Sequence, residues 1–194
     1  MRKPKSPYKY VEYLESTGVQ YIDTGISHYQ VYGFEIEYQS RGIVQQNKQY
    51  NFDGVFGVNG LGTNGDIKLW FNYGNKDAIL NNIYCQTPVF RSSSMNLEEQ
   101  YATKNTVAIK NKVVKFNGEQ IGTITEYGKP TKGVSIHMFG VNNTGTSSLY
   151  RSATRIYVLK LYDENDNIIG YLNPAFVLKT INQECTIWFQ NSFL

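Results

Sequence analysis

Short runs in which apolar and polar residues alternate recur along the chain. In residues 34–39, the apolar side chains Phe34, Ile36 and Tyr38 lie two positions apart, and every residue between them is charged or polar. Successive side chains of a β-strand point to opposite faces of the sheet. The pattern therefore predicts a strand with one face in a core and the other in water.

Residues 66–73 repeat this alternation. Ile67 and Leu69 fall on the apolar side, so Lys68, Trp70 and Asn72 are predicted to share the polar side. A tryptophan on a polar strand face is available for contact with another molecule, unless a loop or a partner subunit covers it.

Turn signals separate these runs. Residues 106–124 contain two strand-like runs on either side of Asn117 and Gly118, and this dipeptide tolerates the positive φ angles of a tight type I′ hairpin. A polar segment at residues 163–167 is predicted to join two further strands. Residues 185–190 alternate again and predict a last strand.

The chain is predicted to be an all-β antiparallel β-sandwich of two sheets, of jelly-roll type. It shows no sustained helical period, and about ten strands must curl or split into two layers to hide their apolar faces. Aromatic residues make up 14% of the sequence and there are 17 glycines, which suits strands joined by tight turns. With 194 residues, one domain over 8–194 is expected, preceded by a basic arm at residues 1–7.

Charge and hydropathy exclude several classes. The formal net charge is only +3 and is scattered, so a nucleic-acid partner is not expected, and no apolar run is long enough for a membrane span. The cluster Arg2, Lys3 and Lys5 is not followed by an apolar stretch, so it is not a signal peptide, and synthesis in a cytoplasm is expected. These three residues are candidates for docking to a protein partner.

Neither catalysis nor a cofactor is expected. Glu35 and Glu37 have the alternate spacing of a glycosidase carboxylate pair, but they lie on an ordinary polar face. Residues 60–65 spell a dinucleotide-binding fingerprint, yet a strand rather than a helix is predicted after them. The alternative of a glycoside hydrolase stays open through the two glutamates.

A metal site is not expected either. Cys85 and Cys185 do not have zinc-ligand spacing and are predicted to be half-buried thiols, and whether they pair is left open. The loop at residues 163–167 resembles the opening of an EF-hand but lacks the glycine and the glutamate of that loop. A looser calcium site there is kept as an alternative.

A sugar-binding face is the candidate site. Trp70 offers a ring for stacking on the apolar face of a sugar, and Lys68 and Asn72 beside it offer groups that read hydroxyls. His137, predicted to lie at the surface of another strand, is the fourth candidate carbohydrate contact.

Two blocks of sequence resemble a known family. Residues 10–26, read as Tyr-Val-Glu-Tyr-Leu-Glu-Ser-Thr-Gly-Val-Gln-Tyr-Ile-Asp-Thr-Gly-Ile, are similar to the opening of many phage, prophage and gut-bacterial proteins of the concanavalin A-like lectin/glucanase type, in its laminin-G-like form. Residues 136–143 and 155–163 resemble the late strand pair of that family. The C-terminal part departs from it, because the usual Gly-Leu-Tyr-Asp tail is missing.

The resemblance implies a fold more firmly than a function, since this sandwich hosts lectins, hydrolases and structural modules. The leading hypothesis is a non-enzymatic virion protein of a bacteriophage, attached to capsid or tail proteins and displaying a weak face for host or mucosal glycans. The alternatives are a carbohydrate-binding adhesion module of a gut bacterium or prophage, and a glycoside hydrolase. A homo-oligomer is compatible with the sequence.

Overall fold

The computed structural model describes residues 8–42, 52–59, 66–75, 78–85, 88–91, 103–127, 133–144, 148–149, 151–172 and 175–177. These ranges contain seventeen strands and one short 3-10 turn at His28–Gln30. In chain order the strands are β1 (Tyr8–Tyr10), β2 (Leu14–Thr17), β3 (Ile22–Ser27), β4 (Gly33–Gly42), β5 (Phe52–Asn59), β6 (Ile67–Asn75), β7 (Ala78–Cys85), β8 (Pro88–Arg91), β9 (Asn105–Lys110), β10 (Val113–Phe116), β11 (Glu119–Thr123), β12 (Ser135–Met138), β13 (Val141–Asn143), β14 (Ser148–Leu149), β15 (Ala153–Tyr162), β16 (Ile168–Leu172) and β17 (Ala175–Val177).

The strands form two large sheets and a small one. The seven-stranded sheet has the order β11-β10-β9-β4-β15-β16, with β2 also paired to β15. The eight-stranded sheet has the order β14-β13-β5-β6-β7-β8, with β12 placed between β3 and β5. Strands β1 and β17 form the two-stranded sheet. Pairing is mostly antiparallel, and β13 runs parallel to β5, so the predicted all-β, mostly antiparallel fold of two sheets is confirmed and is consistent with a β-sandwich.

One hydrophobic core joins the two large sheets. The rings of Phe34 on β4 and Phe56 on β5 meet edge to face with centroids 4.7 Å apart, and each belongs to a different sheet. Ile36 and Tyr38 of β4 are fully buried beside Phe34, as the alternation predicted. Burial of each such side chain contributes about 1.5–3 kcal/mol of stability, so this layer is the main source of the folding free energy.

Two tight turns, rather than one, shape residues 106–124. The predicted hairpin is present, because Asn117 and Gly118 have φ angles of 48° and 86° and connect β10 to β11. However, the first run is itself two strands, joined by Asn111 and Lys112 with φ angles of 50° and 60°. Lysine rarely adopts a positive φ, so sequence alone did not indicate this second turn.

The predicted polar hairpin loop lies between β15 and β16. One side-chain oxygen of Asp163 accepts hydrogen bonds from the backbone nitrogens of Asn165 and Asn167 at 2.9 and 2.8 Å, and the other accepts from the side chain of Asn167 at 3.0 Å. These bonds lower the pKa of Asp163, the side-chain bond from Asn167 most of all. The loop is thus closed by its own amides, which accounts for Asp163 and Asn167, and the calcium site at this loop stays a prediction.

Cys85 is more deeply buried than predicted. It is fully enclosed at the end of β7, its thiol lies 3.4 Å from the carbonyl oxygen of Tyr32, and burial raises its pKa to about 12. Cys185, the last predicted strand at 185–190 and the basic arm at 1–7 lie outside the described residues. Among the residues that the structure describes, no helix has the length and hydrophobicity of a membrane span.

Replacing Gly57 by alanine is expected to destabilise the fold severely. Gly57 has a φ of 132°, and a Cβ there would lie 2.0 Å from the carbonyl oxygen of Ile67 and 2.5 Å from the Cα of Lys68, which are backbone atoms of the next strand. Urea denaturation of Gly57→Ala should show a loss of more than about 4 kcal/mol or no folded protein. Gly118→Ala is the control: its φ is also positive, but open space surrounds it, so about 1–2 kcal/mol is expected. Equal losses in the two variants would contradict this account.

Candidate functional site

Strands β3 and β12 bring together polar side chains from distant parts of the chain. In this antiparallel pair, His137 lies opposite Asp23, and Met138 lies opposite Ile22. Met138 also pairs with Phe56 of β5 and points into the core. Because side chains alternate along a strand, His137 points to the other face of the sheet, where Asp23 lies.

Asp23 contacts three neighbouring residues on this surface: Gly25, Ser135 and His137. One of its side-chain oxygens accepts hydrogen bonds from the backbone nitrogen of Gly25, at 2.9 Å, and from the hydroxyl of Ser135. Its second oxygen lies 3.7 Å from Nε2 of His137. Burial acts to raise the pKa of Asp23, but the bonds from Ser135 and Gly25 and the nearby His137 outweigh it and lower the pKa. The carboxylate is therefore ionised at neutral pH, and its side chain is 55% exposed.

An exposed aromatic ring lies beside this carboxylate. Tyr21 is 43% exposed, and its ring stacks on the imidazole of His137 with centroids 4.6 Å apart and planes inclined by 22°. The guanidinium of Arg151 lies 5.5 Å from the centroid of the same ring. We call the set Val19, Tyr21, Asp23, Ser135, His137 and Arg151 the Tyr21 patch.

A tight turn between β2 and β3 presents the aromatic side of the patch. Gly18 has a φ of 95°, and its backbone nitrogen donates to the hydroxyl of Ser16 at 3.0 Å. The side-chain oxygen of Gln20 accepts from the hydroxyls of Ser16 and Thr17 at 3.2 and 3.0 Å. Arg151 then ties the turn to the start of β15 by donating to the carbonyl oxygen of Val19 at 2.7 Å. The Ser-Thr-Gly-Val-Gln sequence thus sets the position of the ring that follows it.

The patch has the chemistry of a contact surface for a polyhydroxylated ligand. The Tyr21 ring offers an apolar face or edge, Asp23 offers an exposed acceptor for hydroxyl groups, and Arg151 offers charged donors. His137 supports the ring by stacking on it and lies 3.7 Å from the carboxylate, and Ser135 donates a hydrogen bond to that carboxylate. Pre-organised groups of this kind lower the entropy lost on binding.

Lys68 does not lie on a solvent-exposed face, so that part of the prediction is wrong. It is 3% exposed, and its Nζ atom lies 2.6 Å from a carboxylate oxygen of Asp66 and 2.5 Å from the side-chain oxygen of Asn59. Alternation correctly placed Ile67 and Leu69 in the core, but it could not show that the opposite face is also covered at Lys68.

The surface position predicted for His137 is also wrong, because the residue is 5% exposed behind Tyr21. It nevertheless belongs to the Tyr21 patch and contacts its exposed members. The side chains of Trp70 and Asn72 lie outside the described part of the structure, as do Arg2, Lys3 and Lys5. Their proposed roles stay predictions.

The strand register links two of the predicted contacts. His137 pairs with Gly57, and Gly57 pairs with Lys68, so these residues form one row across β12, β5 and β6. Asp23 extends the row on the other side of His137. Asp23 and Lys68 therefore lie on the same face of the sheet, but Asp23 is exposed to solvent and Lys68 is buried.

Glu35 and Glu37 point to the outer face of the seven-stranded sheet, where both are engaged with neighbouring side chains. Glu35 receives hydrogen bonds from Lys160 at 2.7 Å and from the hydroxyl of Tyr162 at 3.2 Å. Glu37 forms an ion pair with Lys104 at 3.5 Å. In the described ranges no group of three or more histidine, cysteine, aspartate or glutamate side chains is placed to hold a metal ion.

Sequence reasoning missed Tyr21, Asp23, Ser135 and Arg151 as site residues. Tyr21 and Asp23 lie within the family-like block at 10–26, which was a usable signal for a structured segment but not for its role. Their meeting with Ser135 and Arg151 depends on which strands pair, and alternation within one strand carries no information on its partner.

No protein-family model matches the chain, and no curated protein was found to match it. Family membership therefore stays a proposal that the sequence resemblance supports.

Both histidines are expected to titrate below their ordinary pKa of 6.5. Burial lowers the pKa of His137 and of His28, although Asp23 beside His137 and the Val134 backbone beside His28 partly oppose this effect. The folded state thus binds each proton less tightly than the unfolded chain does. Stability is then fully present above about pH 6.5 and falls as the pH drops below it.

The chain has two histidines, so NMR of the imidazole carbons should show two titrations with midpoints below 6.5. The same protein in urea should titrate near 6.5, and His137→Gln should leave one signal. A midpoint above 6.5 for either imidazole in the folded protein would contradict the burial of these side chains.

Proposed function

We propose that this chain is a non-catalytic binding protein of a bacteriophage virion, built as a concanavalin A-like jelly roll, and that it contacts a glycan through the Tyr21 patch. The observation that carries the glycan contact is the exposed Tyr21 ring, which stacks on His137 next to the ionised carboxylate of Asp23 and lies 5.5 Å from the guanidinium of Arg151.

A neutral sugar fits this arrangement. Its C–H face packs on an aromatic ring, and pairs of neighbouring hydroxyls donate to a carboxylate and accept from a guanidinium. The exposed carboxylate of Asp23 repels anionic sugars, so a neutral sugar is the ligand proposed. The proposal therefore moves the sugar contact from Trp70, Lys68 and Asn72 to Tyr21, and retains His137 as the residue that supports the ring.

The virion role is supported by the sequence resemblance, and the resembling blocks are neighbours in the fold. The family-like block at 10–26 supplies β2 and β3. Strand β2 pairs with β15 from the block at 155–163, and β3 pairs with β12, which overlaps the block at 136–143. The blocks thus lie side by side around the Tyr21 patch. Docking through Arg2, Lys3 and Lys5 to capsid or tail proteins is part of the same proposal.

Tyr21→Ala is expected to lower glycan affinity about ten-fold, because it removes the ring while leaving both sheets intact. Glycan-array screening of the full chain, followed by titration calorimetry with the best neutral oligosaccharide, measures this effect. Tyr21→Phe should retain most of the affinity, since the ring is kept.

Tyr29→Ala is the matched control, because Tyr29 is similarly exposed but lies outside the patch. Equal binding by Tyr21→Ala and the unaltered protein would contradict the site. Binding lost on Trp70→Ala instead would return the contact to β6.

The virion role predicts that the protein is present in purified phage particles. Mass spectrometry of particles banded by density should detect its peptides at a constant ratio to capsid or tail proteins, with a host cytoplasmic protein as the contamination control. Its absence from the particles, together with neighbouring genes for polysaccharide breakdown, would contradict the proposal.

A further inference from the structure

A lysine, an asparagine and an aspartate meet at the hairpin end of β5 and β6. Nζ of Lys68 lies 2.5 Å from the side-chain oxygen of Asn59 and 2.6 Å from a carboxylate oxygen of Asp66. The register explains the contact: Val58 pairs with Ile67, which places Asn59 opposite Asp66 and diagonally across from Lys68. Long side chains reach such diagonal neighbours on the same face of a sheet.

The cluster is enclosed. The side chains of Lys68 and Asp66 are 4% and 8% exposed, and Asn59 is half-buried. Gly57 makes this packing feasible, because a Cβ at that position would lie 2.7 Å from the Cβ of Lys68. Nitrogen Nδ2 of Asn59 points toward the side-chain oxygen of Asn143 at 3.5 Å, so the amide is held on its far side as well.

The reacting atoms are already in van der Waals contact. A carbonyl bond is about 1.23 Å long, so Cγ of Asn59 lies within about 3.7 Å of Nζ. Reactive pairs in enzymes are held about 3–3.5 Å apart, and such positioning replaces a large part of the entropy cost of a reaction. Only a small shift of the amine toward the carbon separates this geometry from a reactive one.

We propose that Lys68 and Asn59 form an intramolecular isopeptide bond, with Asp66 carrying the proton, and that this bond covalently joins β5 to β6. This modification is independent of the glycan site and of the virion role.

The reaction balances within the cluster. The ammonium of Lys68 gives a proton to the carboxylate of Asp66, and the neutral amine attacks Cγ of Asn59. Asp66 returns its proton to the amide as the Cγ–Nδ2 bond breaks, and Nδ2 leaves as ammonia. The attacking nitrogen keeps one of its two protons in the new amide and passes the other to the ammonia, which departs as ammonium and leaves Asp66 ionised. No oxidant or cofactor is required.

Burial favours the first of these steps. It lowers the pKa of Lys68, although hydrogen bonding and charge from Asp66 partly oppose it. A buried lysine that loses its proton readily is a competent nucleophile, and a neighbouring carboxyl group is the usual proton carrier for such an attack. A buried ion pair alone would be a weak contributor to stability, because desolvation of both charges offsets their attraction.

The decisive measurement is a digest of the full-length, unaltered chain after prolonged incubation at neutral pH. An endoprotease that cleaves before aspartate cuts at Asp53, Asp66 and Asp77, which separates Asn59 on fragment 53–65 from Lys68 on fragment 66–76. With the bond, mass spectrometry should find the two fragments joined, with a mass equal to their sum less one ammonia. Trypsin should also fail to cut after Lys68.

The joined fragments distinguish the bond from another source of ammonia loss. Asn59, Asn64 and Asn117 each precede a glycine, and such pairs lose ammonia by succinimide formation. A succinimide leaves fragments 53–65 and 66–76 separate. Complete separation of the two fragments from the unaltered protein overturns the proposal and leaves Lys68 and Asp66 as a buried ion pair.

Variants test the roles of the residues. Lys68→Met should abolish the joined species, whereas Lys104→Met, a change at an exposed lysine just before β9 of the other sheet, should leave it unchanged. Asp66→Asn removes the cleavage site before residue 66, so its reaction is followed by the loss of tryptic cleavage after Lys68, which should be at least ten-fold slower than in the unaltered protein. An unaltered rate in Asp66→Asn would remove Asp66 from the mechanism. Because Lys68→Met leaves Asp66 unpaired, Asn59→Ala, which keeps the Lys68–Asp66 ion pair and both cleavage sites, serves if that variant fails to fold.

Discussion

Burial of one apolar face of each strand fixes the register of the sheets, and the register decides which polar side chains meet. Ile136 and Met138 of β12 lie in the core, and this leaves Ser135 and His137 on the opposite face. A shift of one residue would exchange the two faces, which the cost of exposing the core forbids. The Tyr21 patch therefore depends on the packing of the core beneath it.

The buried face of a single strand could be predicted from the sequence, but the contacts between side chains of different strands could not. Alternation correctly identified the buried face of β4, and the Asn-Gly pair correctly located the turn after β10. Alternation wrongly predicted that Lys68 and His137 are exposed, because a polar residue on the outer face is exposed only where nothing packs over it. Lys68 is covered through contacts with Asp66 and Asn59, and His137 through its stacking on Tyr21.

The turn before β3 is a second feature that alternation of apolar and polar residues could not predict. The Ser-Thr-Gly-Val-Gln segment has no alternation, so its pattern predicted no element. Its order comes from hydrogen bonds between Ser16, Gly18 and Gln20, and from Arg151 far along the chain. Local polar bonds of this kind position a loop without any apolar period. The ring of Tyr21 is consequently presented by a turn whose geometry became visible only in three dimensions.

The row of paired residues from Asp23 through His137 and Gly57 to Lys68 is exposed to water at one end and buried at the other. At Asp23 the row is open to water, where an ionised carboxylate can exchange its solvent for the hydroxyls of a ligand at small cost. At Lys68 it is closed to water, and burial lowers the pKa of the amine, although Asp66 partly opposes this. Gly57 lies between His137 and Lys68 and permits the close approach of β5 and β6. The same strand pairing can thus serve recognition at one end and covalent reinforcement at the other, because access to water differs along the row.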